Sequence, residues 1–185
     1  MNKQKHTLAP FRSTELSDRF RVVAEYLPDA KNSSLLLTFK ISGPMSQLCL
    51  PSREAVSGWK EGIWLNSCFS CFVLNQETGQ YAEFIFSPSG DWCALSFDAY
   101  RRRADTQPTA WKPEIFTFIQ AASDKAHMTV KFTLLPQQRE KKIFCSGLAA
   151  ILHLRHHAEP LYWALRHAGE KPDFHHPDSM VLTFR

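Results

Sequence analysis

The stretch from residue 67 to residue 98 most constrains what this chain can fold into. Three runs rich in apolar and aromatic residues, 67–74 (SCFSCFVL), 80–86 (QYAEFIF) and 92–98 (WCALSFD), are separated by the turn-rich segments NQETG and SPSGD. Runs of this length bounded by Gly, Pro, Asn and Ser are strand signals, and a five-residue connection carrying a Gly suits a hairpin. The pattern predicts a three-stranded antiparallel meander. Because side chains alternate along a strand, it also predicts that Tyr81, Glu83 and Ile85 share one face.

The rest of the chain repeats the theme. Residues 34–42 (SLLLTFKIS) form a β-branched and apolar run that stops at Gly43-Pro44, a pair that breaks regular structure. Further strands are expected at 114–121, 127–135, 148–154, 160–165 and 180–184. Segment 19–27 reads as a strand or a short helix, and only 11–19 and 52–59 carry a helical turn or two. Many short strands with few short helices predict an all-β antiparallel sandwich or barrel. At 185 residues the expectation is one domain spanning 1–185. Its longer connections, 43–62, 101–113 and 136–141, are where variable loops belong, and Trp111 sits in the middle one.

Charge and cysteine content narrow the function classes. The net charge of +4 is spread rather than gathered on one face, so no nucleic-acid partner is expected. The dense runs Arg101-Arg102-Arg103 and Arg139-Glu140-Lys141-Lys142 fall between strand-like segments, as solvated loops do. No apolar run approaches the roughly 18 residues that cross a bilayer, and the start lacks the apolar stretch of a secretory signal. A cytoplasmic protein without a membrane partner is the expectation. Five cysteines make an odd set without a disulfide framework. Cys68 and Cys71 have the spacing of a zinc motif, but three positions apart in a strand they face opposite ways.

Two stretches carry a resemblance. Gly62-Ile63-Trp64-Leu65-Asn66-Ser67-Cys68-Phe69, followed by Tyr81-Ala82-Glu83-Phe84-Ile85-Phe86-Ser87-Pro88-Ser89-Gly90-Asp91-Trp92, resembles the bacterial DOMON-like domain of type 9, a relative of family 9 carbohydrate-binding modules. Tyr162-Trp163-Ala164-Leu165-Arg166-His167 and Lys171-Pro172-Asp173-Phe174-His175-His176-Pro177-Asp178-Ser179 are similar to the closing signature of that group. The matches run in order from about residue 62 to 182, about two thirds of the chain. The resemblance implies a jelly-roll-like β-sandwich whose wider superfamily binds sugars or haem, and it implies no activity. Two positions depart from the pattern: a carboxylate is usual where this chain has Ser70, and an Asn where it has Ile85.

Sugar recognition needs flat aromatic surfaces and a few fixed polar groups. Trp64, Trp92 and Trp111 are candidate platforms, and Glu83, Asp98 and Arg101 candidate hydrogen-bonding groups. Trp163 is available too, although a strand Trp is commonly core filling with its indole N–H satisfied locally. Glu83 either faces solvent or occupies a pocket, and solvent is the commoner place for a carboxylate. The late histidines, His153, His156, His157, His167, His175 and His176, raise a metal or haem alternative. Their adjacent pairs point apart and no His-Glu-x-x-His pattern accompanies them, so no metal site and no cofactor are expected, and the segment around His175 reads as a turn. No nucleophile elbow or phosphate-binding Gly-rich loop is present. The sequence fits a non-catalytic binding module for a small ligand, a saccharide or sugar-derived metabolite, better than an enzyme. A haem or metal binder and a protein-interaction domain without small ligand are the alternatives.

Overall fold

Strands bury a row of alternate side chains against a second sheet, and this chain pairs its strands into two antiparallel sheets that do so. The computed structural model describes residues 3–29, 34–53, 55–106, 111–134 and 144–184, without the side chains of 28, 29, 111–116, 131–134, 144, 145 and 184. One sheet has the order β1 (Gln4–Thr7), β3 (Arg21–Asp29), β4 (Ser34–Ser42), β10 (Lys125–Leu134), β9 (Trp111–Ala122). The other runs β2 (Ala9–Pro10), β12 (Leu161–Ala164), β11 (Phe144–Leu152), β5 (Cys68–Asn75), β6 (Tyr81–Phe86), β7 (Trp92–Ala99), β8 (Arg102–Arg103). β13 (Leu182–Phe184) also pairs with β11, along the edge that β12 uses. The fold is an antiparallel β-sandwich.

The meander is in place. β5 pairs β6 and β6 pairs β7 without a register shift. The β5–β6 turn is closed by the Asn75 N–H on Gln80 O at 2.9 Å, with Gly79 at φ 72°. Segment 19–27 resolves as β3, buried on both faces through Val22, Ala24 and Tyr26 on one side and Val23 and Glu25 on the other. Two-sided burial removes the period-2 alternation that would have marked it.

Several expectations are corrected. Helical structure over 11–19 shrinks to a 3-10 turn at Ser17–Arg19, and the described residues of 52–59 hold no helix. Arg102–Arg103 add a short exposed strand to β7 rather than a loop. The run 139–142 lies outside the described residues. Trp111 opens β9, opposite Leu134, instead of sitting in a loop.

Between the sheets lies the main core: Val22, Leu37, Phe39 and Met128 from one sheet, Phe69, Cys71, Phe84, Phe86, Leu148 and Trp163 from the other. The rings of Phe39 and Phe69 meet across the interface at 5.0 Å. Burying each such side chain stabilises by about 1.5–3 kcal/mol. Trp163 is core filling as expected, but its indole N–H finds no partner among the described residues.

A second apolar cluster covers the outer face of the eight-stranded sheet: Cys68, Phe72, Tyr81, Ile85, Cys93, Leu95 and Phe97. Cys68 and Cys71 therefore do face opposite ways, one into each cluster. Two segments roof this outer face, the 3-10 turn Ile63–Leu65 and a C-terminal strap around Phe174–Met180. Gly147 on β11 lets the strap approach, since a Cβ there would stand 3.2 Å from Met180 Cγ and 3.5 Å from Phe72 Cβ. At the far end of β4, Gly43 at φ 141° passes so close to Arg19 and Phe20 that a Cβ would lie 2.6 Å from the Arg19 carbonyl oxygen. This is the physical content of the Gly43-Pro44 stop signal.

Candidate functional site

Glu83 stands in the middle of the outer face. In the sheet it is flanked by Phe72 on β5 and Leu95 on β7. Tyr81 and Ile85 share its face on β6. The carboxylate is buried, 8% exposed, which corrects the expectation that it faces solvent. Burial pushes its pKa up to about 7, opposed by the Ser70 hydroxyl and the positive charge of Arg101.

The strap brings His175 onto this carboxylate. His175 Nε2 lies 3.6 Å from Glu83 Oε2, and the ring is edge-on to Phe72, Tyr81 and Phe97 at centroid distances of 5.3, 5.8 and 5.0 Å. Tyr81 and Phe97 are themselves stacked at 4.6 Å. The Arg101 N–H donates to Tyr81 Oη at 3.0 Å, and Tyr81 Oη and His175 Nδ1 are hydrogen-bonded at 2.9 Å. With the phenol donating its proton, Nδ1 accepts and the imidazole proton sits on Nε2, facing Glu83. Desolvation in the aromatic box and the nearby Arg101 charge lower the His175 pKa to about 4. A neutral imidazole and a carboxyl that stays protonated well above its ordinary range thus lie side by side.

At the open margin of this network the Arg101 guanidinium pairs with Asp173 Oδ1 at 2.9 Å, and the Tyr100 hydroxyl donates to Asp173 Oδ2. Arg101 adopts φ 54° to place both its N–H and its side chain. Asp173 is held in turn by the His175 N–H at 3.1 Å, and these donors keep its pKa low. The Tyr100 ring is half exposed, with the His176 ring edge-on to it at 6.2 Å. His176 also caps the 3-10 turn Pro177–Ser179 by accepting from the Asp178 N–H, so the turn predicted here is present. The margin presents an aromatic face, a guanidinium and a carboxylate in fixed positions.

Of the six residues singled out from sequence, Trp64, Glu83 and Arg101 lie on this outer face. Trp64 is half-buried against its apolar cluster in the Ile63–Leu65 turn. Trp92 has the opposite parity and packs against the core between the sheets. Asp98 is exposed and alternates away from Phe97, off the outer face. Trp111 belongs to the other sheet, and its side chain lies outside the described atoms. Tyr100, Asp173 and Tyr81 were not named as site residues. The parity of Tyr81 with Glu83 was the one signal that could have drawn it in. Among the described residues no group of three or more His, Cys, Asp or Glu is placed to hold a metal ion.

No family model and no curated protein matches the sequence. Solved structures do match the fold. A protein of Bacteroides uniformis ATCC 8492 proposed to bind carbohydrate aligns with a TM-score of 0.65 at 15% identity, over 98% of this chain and 86% of that one. A family 9 carbohydrate-binding module of Caldicellulosiruptor kristjanssonii, solved with cellotriose, aligns with a TM-score of 0.55 at 8% identity, over 88% of this chain and 72% of that one. At these identities the likeness is one of fold.

Proposed function

We propose that this chain is a non-catalytic saccharide-binding module that holds its ligand at the margin of the outer face. The observation that carries the reading is the exposed Tyr100 ring beside the Arg101–Asp173 pair. The ring offers a flat surface to the C–H face of a sugar, while the guanidinium and the carboxylate offer donors and acceptors to its hydroxyls. Tyr81, His175 and Glu83 fix these groups from beneath, so little ordering is left to occur on binding. The fold shared with a module solved with cellotriose supports a neutral oligosaccharide as the ligand. The same reading takes the chain as one DOMON-like domain acting in the cytoplasm without a cofactor.

The test is calorimetric titration with neutral trisaccharides, cellotriose among them, on the wild type and on Tyr100→Ala and Arg101→Ala. Binding in the wild type, weakened about ten-fold or more by either change, is the expected result; one hydrogen bond to a charged group is of that size. Unchanged affinity in both variants refutes this location.

A further inference from the structure

A second cleft, of about 390 Å³, opens at the other end of the same sheet where β2 meets β12. Its floor is apolar and half-buried: Pro10, Phe11, Pro160, Leu161, Tyr162 and Pro172. Four exposed charged residues rim it, Arg12, Glu159, Glu170 and Lys171. The volume falls in the range of small-ligand sites, and an apolar lining with a few convergent polar groups is their usual composition.

The two aromatic residues are positioned by the backbone. The Phe11 N–H donates to Tyr162 O at 2.8 Å, continuing the β2–β12 pairing, so the two residues are cross-strand neighbours. His167 stands edge-on to Phe11 at 5.2 Å and is anchored on Ala9 O, while Phe174 backs Tyr162 at 6.1 Å. Three prolines stiffen the walls. The cleft is therefore formed before any ligand arrives.

Its charges select the ligand class. Two cations and two carboxylates cancel, so neither an anion nor a cation is favoured. Among the described residues the side chains of Glu159, Glu170 and Lys171 make no hydrogen bond or ion pair. The Arg12 guanidinium lies over the Phe11 ring at 5.6 Å. Burial and the neighbouring Glu159 keep the Tyr162 hydroxyl protonated and able to donate. Free donors and acceptors of both kinds around an aromatic floor match a ring that carries several hydroxyls and no charge, because each hydroxyl both donates and accepts.

We propose that this cleft is a second saccharide site, taking one neutral sugar ring independently of the Arg101 margin. The experiment titrates cellotriose, maltotriose, chitotriose and the acidic trigalacturonate into the wild type, a Tyr100→Ala/Arg101→Ala protein, an Arg12→Ala/Glu170→Ala protein and the protein carrying all four changes. All four substitutions sit on exposed side chains, and Tyr162→Phe tests the hydroxyl with the ring retained. Expected is residual binding of a neutral trisaccharide by the margin variant, weakened about ten-fold or more by the rim changes. No binding by the margin variant, residual binding indifferent to the rim changes, or preference for trigalacturonate each overturns the second site. The first of these, together with binding by the wild type, supports the margin reading, so the two readings fail separately. Wild-type binding lost through the rim changes alone overturns the margin and keeps the cleft.

Discussion

Replacing either member of the Glu83–His175 pair is expected to expose a pH dependence of stability that the intact pair conceals. Glu83 titrates near 4.5 in an unfolded chain and near 7 in the folded one. Alone, it makes the fold lose stability as pH rises through that window, because the unfolded state sheds a proton the native state keeps. His175 titrates near 6.5 unfolded and near 4 folded. Alone, it makes the fold lose stability as pH falls from 6.5 to 4, because the unfolded state takes up a proton the native state refuses. Each displacement is about two and a half pH units, worth about 3 kcal/mol when fully developed. Between pH 4.5 and 6.5 the folded and unfolded pair each hold one proton, on the carboxyl in one and on the imidazole in the other. The two slopes therefore cancel in the wild type. Burial is the main cause of both displacements, and a Gln in either place keeps the site filled, so each single variant keeps most of its partner's displacement. Urea denaturation followed by Trp fluorescence at pH 4.5, 5.5 and 6.5 separates the cases. Wild type should be nearly flat from this pair, Glu83→Gln should weaken toward pH 4.5, and His175→Gln should weaken toward pH 6.5. Slopes of the same sign in the two variants would show that the imidazole and the carboxyl do not exchange one proton on folding.

Other substitutions test other parts of the fold. Gly43→Ala should cost more than about 2 kcal/mol by thermal denaturation, since it adds a Cβ against a backbone carbonyl at a positive φ. Phe39→Ala removes a fully buried ring from between the sheets and should cost about 3–5 kcal/mol in the same assay. Native alkylation at pH 8 followed by peptide mapping should modify exposed Cys49 and spare Cys68, Cys71 and Cys93. Burial raises the pKa of those three, Cys71 to about 12 and Cys93 to about 11, and only a thiolate reacts. Trp163→Phe should move stability by no more than about 1 kcal/mol, because losing the larger ring is offset by removing a buried N–H that has no partner among the described residues.

What the sequence made legible was local. Alternation along 67–98 placed Glu83, Tyr81 and Ile85 on one face and separated Cys68 from Cys71, because strand parity needs no knowledge of distant residues. Trp92 lies on the neighbouring strand, so its face follows only from the β6–β7 register, which sets it opposite Phe86. The roof over this face was not legible. His175 reaches Tyr81 across 94 positions, and nothing in Asp173-Phe174-His175-His176 says which sheet the turn settles on. The same gap explains the misjudged exposure of Glu83, which is a strand carboxylate until the strap covers it. β2, only two residues long, and β8, a pair of arginines, lack the apolar pattern of a strand and form by pairing on a neighbour already in place. The connection expected over 101–113 includes Trp111 and ends on Pro113, yet β9 is the edge of its sheet, where a missing N–H is tolerated.

The strap also dictates an order of events at the ribosome. By the time β5, β6 and β7 have left the exit tunnel, their inner side can already find β4 and the Ile63–Leu65 turn is in reach of their outer side, but the part that the strap covers stays wet until residues near 180 have been made. A nascent chain stalled before that point displays Phe72, Phe97 and an uncovered carboxyl to solvent or to a chaperone. Final locking of the sandwich is thus tied to late synthesis, however early the meander itself takes shape.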